Sequence, residues 1–201
     1  MNGMDETFPT PAPGAAGHPS LALADSMGEL PGGRRFDELE TPASATAWLV
    51  SRDLVGPGAM LYEHCQGRLV HLRGAVRDLL VAHVEDSVPD GESVRILNDA
   101  LTSAPGAMRL QFDPARGFVR TADHPATQVV EHAMAAIAED AATLLTGDEA
   151  SMLAVCAADS CGRFFLRTHA RRQWCSTRCG DRVRAARAYA RKRAALNTPP
   201  A

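Results

Sequence analysis

Four cysteines fall within 24 positions, at Cys156, Cys161, Cys175 and Cys179, in the order C-x4-C, thirteen residues, C-x3-C. Thiolates at such density serve as metal ligands, redox partners or nucleophiles. Met1 to Gly17 holds neither a basic segment nor an apolar one of the kind that directs export. The chain is therefore expected in the cytoplasm, a reducing compartment where paired cysteines bind metal rather than form disulfides. Zinc suits four thiolates in tetrahedral geometry at about 2.3 Å. One structural Zn2+ is the expectation, since four Cys ligands leave no open position for a catalytic water. Two disulfides, four free thiols, or His169 in place of one thiolate are the competing arrangements. Cys65 stands apart, on an apolar stripe, and reads as a small core residue.

The other chemistry-bearing residues do not assemble a catalytic pattern. The seven histidines are scattered, with His64 and His71 on one helix face and His124 and His132 flanking another helix. No Ser-His-Asp order, phosphate loop or HExxH motif is present, so no enzyme is expected.

Charge is divided unevenly. From Cys156 onward, 11 basic residues face only Asp159 and Asp181, a charge of +9, whereas the first 155 residues carry −12. After Cys179 the chain reads as an Ala-rich helix bearing Arg182, Arg184, Arg187, Arg191, Lys192 and Arg193, with Arg178 just before it. Arg184, Arg187 and Arg191 share one face at spacings of three and four. Arg178, Arg182, Tyr189 and Arg193 share a neighbouring one. Such a helix can meet phosphates and guanine edges, so nucleic acid, DNA above all, is the expected partner, with RNA still open. The bland alternatives are pairing with the acidic body, a docking surface for a protein, or a redox switch at the thiolates.

The elements that must position these residues are mainly helical. Thr41-Pro42 is a helix start, an N-cap Thr followed by Pro at the first position, and Gly56-Pro57-Gly58 ends the segment. A long helix is predicted from about Ala59 to Asp86, burying Leu61, Cys65, Leu69, Leu72, Val76, Leu79 and Leu80 and exposing Arg68, Arg73, Arg77 and Asp78. A third follows from about Glu92 to Ser103. Alternation at Met108, Leu110 and Phe112, turn chemistry at 113–117 and Phe118-Val119-Arg120 predict a β-hairpin. A further helix spans about Ala126 to Leu145, stopped by Gly147. Phe164-Phe165-Leu166-Arg167 and Arg172-Gln173-Trp174 read as two strands of a hairpin between the cysteine pairs. No stretch of about 18 apolar residues suggests a membrane span.

The predicted fold class is α+β, mainly α with a small β-hairpin: a helical N-terminal domain, a treble-clef-like zinc module and a basic C-terminal helix. The expected divisions are a disordered tail at 1–19, the helical domain at 20–148, the finger with its helix at 149–196, and a disordered tail at 197–201.

Cys156…Cys161-Gly-Arg-Phe-Phe, Arg172-Gln-Trp-Cys175-Ser and Cys179-Gly180-Asp181-Arg182 resemble the CGNR zinc-finger family. Asp181 stands where the family has Asn. Leu21-Ala22-Leu23 and Thr41-Pro-Ala-Ser-Ala-Thr-Ala-Trp48-Leu49 resemble the ABATE domain that precedes this finger. That family carries an Asn near its N-terminal strand or turn, where this chain has Asp25-Ser26. The resemblance implies a stress-induced bacterial transcription regulator.

Overall fold

The computed structural model describes residues 9–30, 33–104, 107–123, 128–159 and 161–196. Among these described residues six α-helices carry the fold: α1 (Pro19–Ala24), α2 (Pro42–Val50), α3 (Glu63–Val84), α4 (Gly91–Ser103), α5 (Val129–Thr146) and α6 (Thr177–Leu196). Three antiparallel two-stranded sheets are interleaved with them: β1 (Met27–Glu29) with β2 (Arg35–Asp37), β3 (Ala107–Asp113) with β4 (Gly117–Asp123), and β5 (Leu153–Val155) with β6 (Phe164–Leu166). The mainly helical α+β class holds. No helix among the described residues is long and apolar enough to cross a membrane.

Local chemistry sets the helix boundaries. Thr41 caps α2 by accepting from Ser44 N–H, and Ser44 Oγ accepts from Thr41 N–H, a reciprocal pair that closes two orphan donors. Asp90 caps α4 by accepting from Ser93 N–H at 3.1 Å. α3 begins at Glu63 rather than near Ala59 and buries Leu69, Leu72, Val76, Leu79 and Leu80. α1 and α4 pack on α3 and on α5, and these four helices enclose Leu21, Leu23, Leu69, Leu72, Ile137 and Leu144. Gly147 ends α5 in extended backbone. A Cβ there would lie 2.8 Å from Thr143 O, so the close approach of the chain, not a left-handed turn, requires glycine.

Three expectations are corrected. Arg73 and Arg77 do not lie on a solvent face of α3. Arg73 is 3% exposed and binds Asp37 through both terminal nitrogens, at 2.6 and 2.9 Å, while also donating to Ser26 Oγ. Arg77 donates to Ala24 O and lies over the Phe164 ring. A guanidinium with partners supplied from distant segments is tolerated where an unpaired one is not. Secondly, the strand of Phe164 pairs with β5, upstream, and not with 172–174. β1 and β2, for which no strand was predicted, add a further hairpin. Finally, residues 9–19 are part of the fold. Ala12 is buried, Pro13 O accepts from Leu166 N–H at 2.9 Å, and His18 Nδ1 meets Asp140 at 2.9 Å. The edge of β6 needs a backbone acceptor, and this segment supplies it. Gly14, at φ +93°, allows the turn, with Leu166 filling the place of a Cβ. Residues 1–8 and 197–201, the rest of the expected tails, lie outside the described residues.

Candidate metal centre and basic helix

The β5–β6 hairpin is the base on which the cysteines stand. Its register pairs Leu153 with Leu166, Ala154 with Phe165 and Val155 with Phe164. Opposed residues share a face and successive residues alternate. Leu153, Phe164 and Leu166 accordingly enter the helical core, while Ala154 and Phe165 join a second cluster with Cys156, Cys175 and Cys179. Phe164 and Phe165 are 1% and 0% exposed, so neighbouring rings on one short strand anchor two cores.

From β5 the chain turns through the first cysteine pair. Cys156 N–H donates to Arg163 O at 2.8 Å and Cys161 N–H to Ala158 O at 3.1 Å. Gly162 adopts φ +58°, a left-handed conformation that favours glycine. The second pair straddles the start of α6. Cys175 precedes the helix, Ser176 caps it by accepting from Cys179 N–H at 3.2 Å, and Cys179 sits in the first turn. Arg172 holds the approach by donating to Trp174 O and Cys175 O at 3.0 and 3.1 Å. Gly180 lets Trp174 lie against α6, since a Cβ would come within 3.1 Å of its indole.

The four sulfurs lie within 4.8 Å of one another. Cys161, Cys175 and Cys179 are mutually 3.7 Å apart, Sγ to Sγ. A tetrahedron with metal–sulfur bonds of about 2.3 Å has edges of about 3.8 Å, whereas a disulfide would bring two sulfurs to about 2.05 Å. The geometry fits one structural Zn2+ held by Cys156, Cys161, Cys175 and Cys179. His169 is exposed and takes no part in this cluster. Cys65 packs against the helical core.

Electrostatics point the same way. Hydrogen bonds from the Cys161 and Cys175 thiols hold Cys156 far below the ordinary thiol range. Its bond to Cys156 pushes Cys161 up to about 12, and Cys175 is pushed up by both neighbours. Zinc takes its cysteine ligands as thiolates, so binding at this cluster would release their protons. Arg182 approaches the sulfurs, with Nη2 at 4.0 Å from Cys179 Sγ and 3.0 Å from Asp159 O. Arg163, two residues beyond Cys161, binds Asp25 at 3.1 Å. Asp25, at the end of α1, also accepts from Phe164 N–H at 2.9 Å and so ties the helical domain to the finger.

The structure divides the basic residues of the tail into two groups. Arg182 is tied to the finger, and Arg184 pairs with Asp181 at 2.6 Å and lies over Trp174. Arg178 also has a partner. Arg187, Arg191, Lys192 and Arg193 are exposed and form no ion pair among the described residues. From Arg184 to Ala194 every residue of α6 is exposed.

The ABATE family model, described as "Putative stress-induced transcription regulator", matches residues 17–148, and the CGNR zinc-finger model matches residues 152–192. No curated protein matches the chain.

Proposed function

The chain belongs to the ABATE family and carries a CGNR zinc finger after the family domain, and from that membership we propose that it is a DNA-binding, stress-responsive transcription regulator of the bacterial cytoplasm. The finger's part is to fix the first turn of α6, and the remainder of the helix meets phosphates. One observation carries this reading: α6 leaves its last anchor at Arg184 and continues as a helix exposed on all sides, with four cations that no carboxylate of the described body engages. A helix without a buried face needs a partner or a solvent role, and this one offers a partner positive charge on an Ala-rich backbone. The protein is proposed to be non-catalytic, its thiolate set being closed to a reacting water.

Binding of the intact protein to duplex DNA, single-stranded DNA and RNA, measured against salt, tests the proposal. Log affinity should fall with log salt by about 0.9 per duplex phosphate contact. Replacing Arg187, Arg191 and Arg193 together by Ala should flatten that slope by up to about three units. Absence of binding at about 50 mM salt, where the counterion contribution is large, would reassign α6 to docking on an acidic protein.

A further inference from the structure

A cavity of about 610 Å3 opens where the helical domain meets the finger. Its apolar wall comes from Pro11, Ala15, Pro19, Ala22 and Leu54, and its charged groups include Asp25, Glu38, Arg52 and Arg163. The volume is that of a small-molecule pocket, and a mostly apolar wall with a few convergent polar groups is the usual composition of one.

Two of those groups are left incomplete. Arg163 gives its Nε to Asp25 at 3.1 Å, but its terminal nitrogens have no hydrogen-bond partner among the described residues. Glu38 has a side chain only 23% exposed, and its nearest cation, Arg52 Nη2, is 3.7 Å away, beyond hydrogen-bond reach. Its carboxylate accepts no hydrogen bond among the described residues. Arg52 donates through Nη1 to Trp48 O and Ser51 Oγ while stacked 4.1 Å over the Trp48 ring, and only its Nη2 is turned toward Glu38. Neither group's unpartnered polar atoms are fully buried. A carboxylate and a guanidinium edge thus border one cavity in contact with solvent, where a ligand of complementary charge can replace water.

We propose that this cavity binds a small zwitterion of the free amino-acid type. Arg163 receives its carboxylate, Glu38 its ammonium group, and the Pro, Ala and Leu54 wall its side chain. A guanidinium is suited to a carboxylate through two parallel hydrogen bonds. Arg163 lies two residues beyond Cys161, whereas Glu38 belongs to the helical domain. An occupant would therefore be held by both parts and would stiffen the seat of α6. The site does not depend on the nucleic-acid reading and is tested without nucleic acid.

Calorimetric titration of the intact, zinc-loaded protein with each of the twenty amino acids, up to about 10 mM, is the test, because millimolar affinity is already well within measurement. At least one should bind. The amine lacking its carboxylate and the acid lacking its ammonium group should each bind about tenfold or more weakly. Glu38→Gln should cause a similar loss, as should Ala16→Trp, which places a bulky ring at the exposed rim, with zinc content and circular dichroism unchanged. No binding across the set, equal binding of the deaminated acid, or full binding by a folded Ala16→Trp or Glu38→Gln protein would overturn the proposal. Should either variant fail to fold, the comparison of amino acid with its two analogues on the unaltered protein decides alone.

Discussion

Asp181 sits where the CGNR motif has Asn, and the structure gives that difference a physical content. Its carboxylate holds Arg184 at 2.6 Å on an exposed surface. The pair contributes little to stability, on the order of 0.5 kcal/mol or less. Asp181→Asn should therefore leave the melting temperature almost unchanged while freeing Arg184 and removing a negative charge. If α6 binds DNA, the variant should bind more tightly, with a salt slope steeper by about one unit. An unchanged slope would place Arg184 outside the interface. Asp25 carries a different kind of prediction. Burial raises its carboxyl from 3.8 to about 6, outweighing the attraction of Arg163, the Phe164 N–H and Arg77. Because the folded value lies above the unfolded one, the stabilisation is complete below about pH 4 and is lost as pH rises through 6, by up to roughly 3 kcal/mol. Denaturation of the wild type and of Asp25→Asn between about pH 5 and 7.5 should show the wild type losing ground to the variant as pH rises. Acid release of zinc is common to both proteins and cancels in the difference; a difference independent of pH would refute the assignment.

At the scale of elements, legibility followed locality. The cysteine ligands and the Thr41 cap are readable because each depends on a few neighbouring residues. The burial of Arg73 is not, since its partner Asp37 is 36 positions away and on a helix wheel the residue looks like surface. The pairing of β6 is hidden from the sequence for a related reason. Three-residue strands show no period, so Phe164-Phe165-Leu166 gave no indication of which side its partner lay on. The true partner explains the adjacent phenylalanines: alternation sends Phe164 to the helices and Phe165 to the cysteines. Their substitutions should therefore separate. Phe164→Ala should cost about 3–5 kcal/mol of helical-domain stability, read by thermal unfolding followed through helical circular dichroism. Phe165→Ala should instead speed zinc release to a chromophoric chelator. Equal effects of the two on zinc release would contradict the division of the cores.

For the whole molecule, the shared hairpin changes what zinc removal does. A sequence reading of two separate modules leads one to expect that chelation loosens only the finger. The structure joins them through β5–β6, through Asp25 to Arg163 and the Phe164 N–H, and through Arg77 over Phe164. Losing the metal that fixes Cys156 and Cys161 frees both ends of the strand region that closes the helical core. Chelation should thus lower the melting temperature of α3 and α5 as well as unravel α6, and hydrogen exchange resolved by segment should show protection falling in both. Full retention of protection in α3 and α5 would mean that the helices stand alone.

The same hairpin also decides where this chain can be cut. A boundary drawn between the two family matches, near residue 150, would pass just before β5 and hand the excised finger three side chains, Leu153, Phe164 and Leu166, that are at most 7% exposed in the intact protein. Grafted onto another protein, the finger would arrive with an adhesive face and would aggregate or seek a new host surface. The helical domain, for its part, would be left with an open groove. A zinc finger of this design is not an interchangeable cassette; it comes with the half of the core it was built to complete.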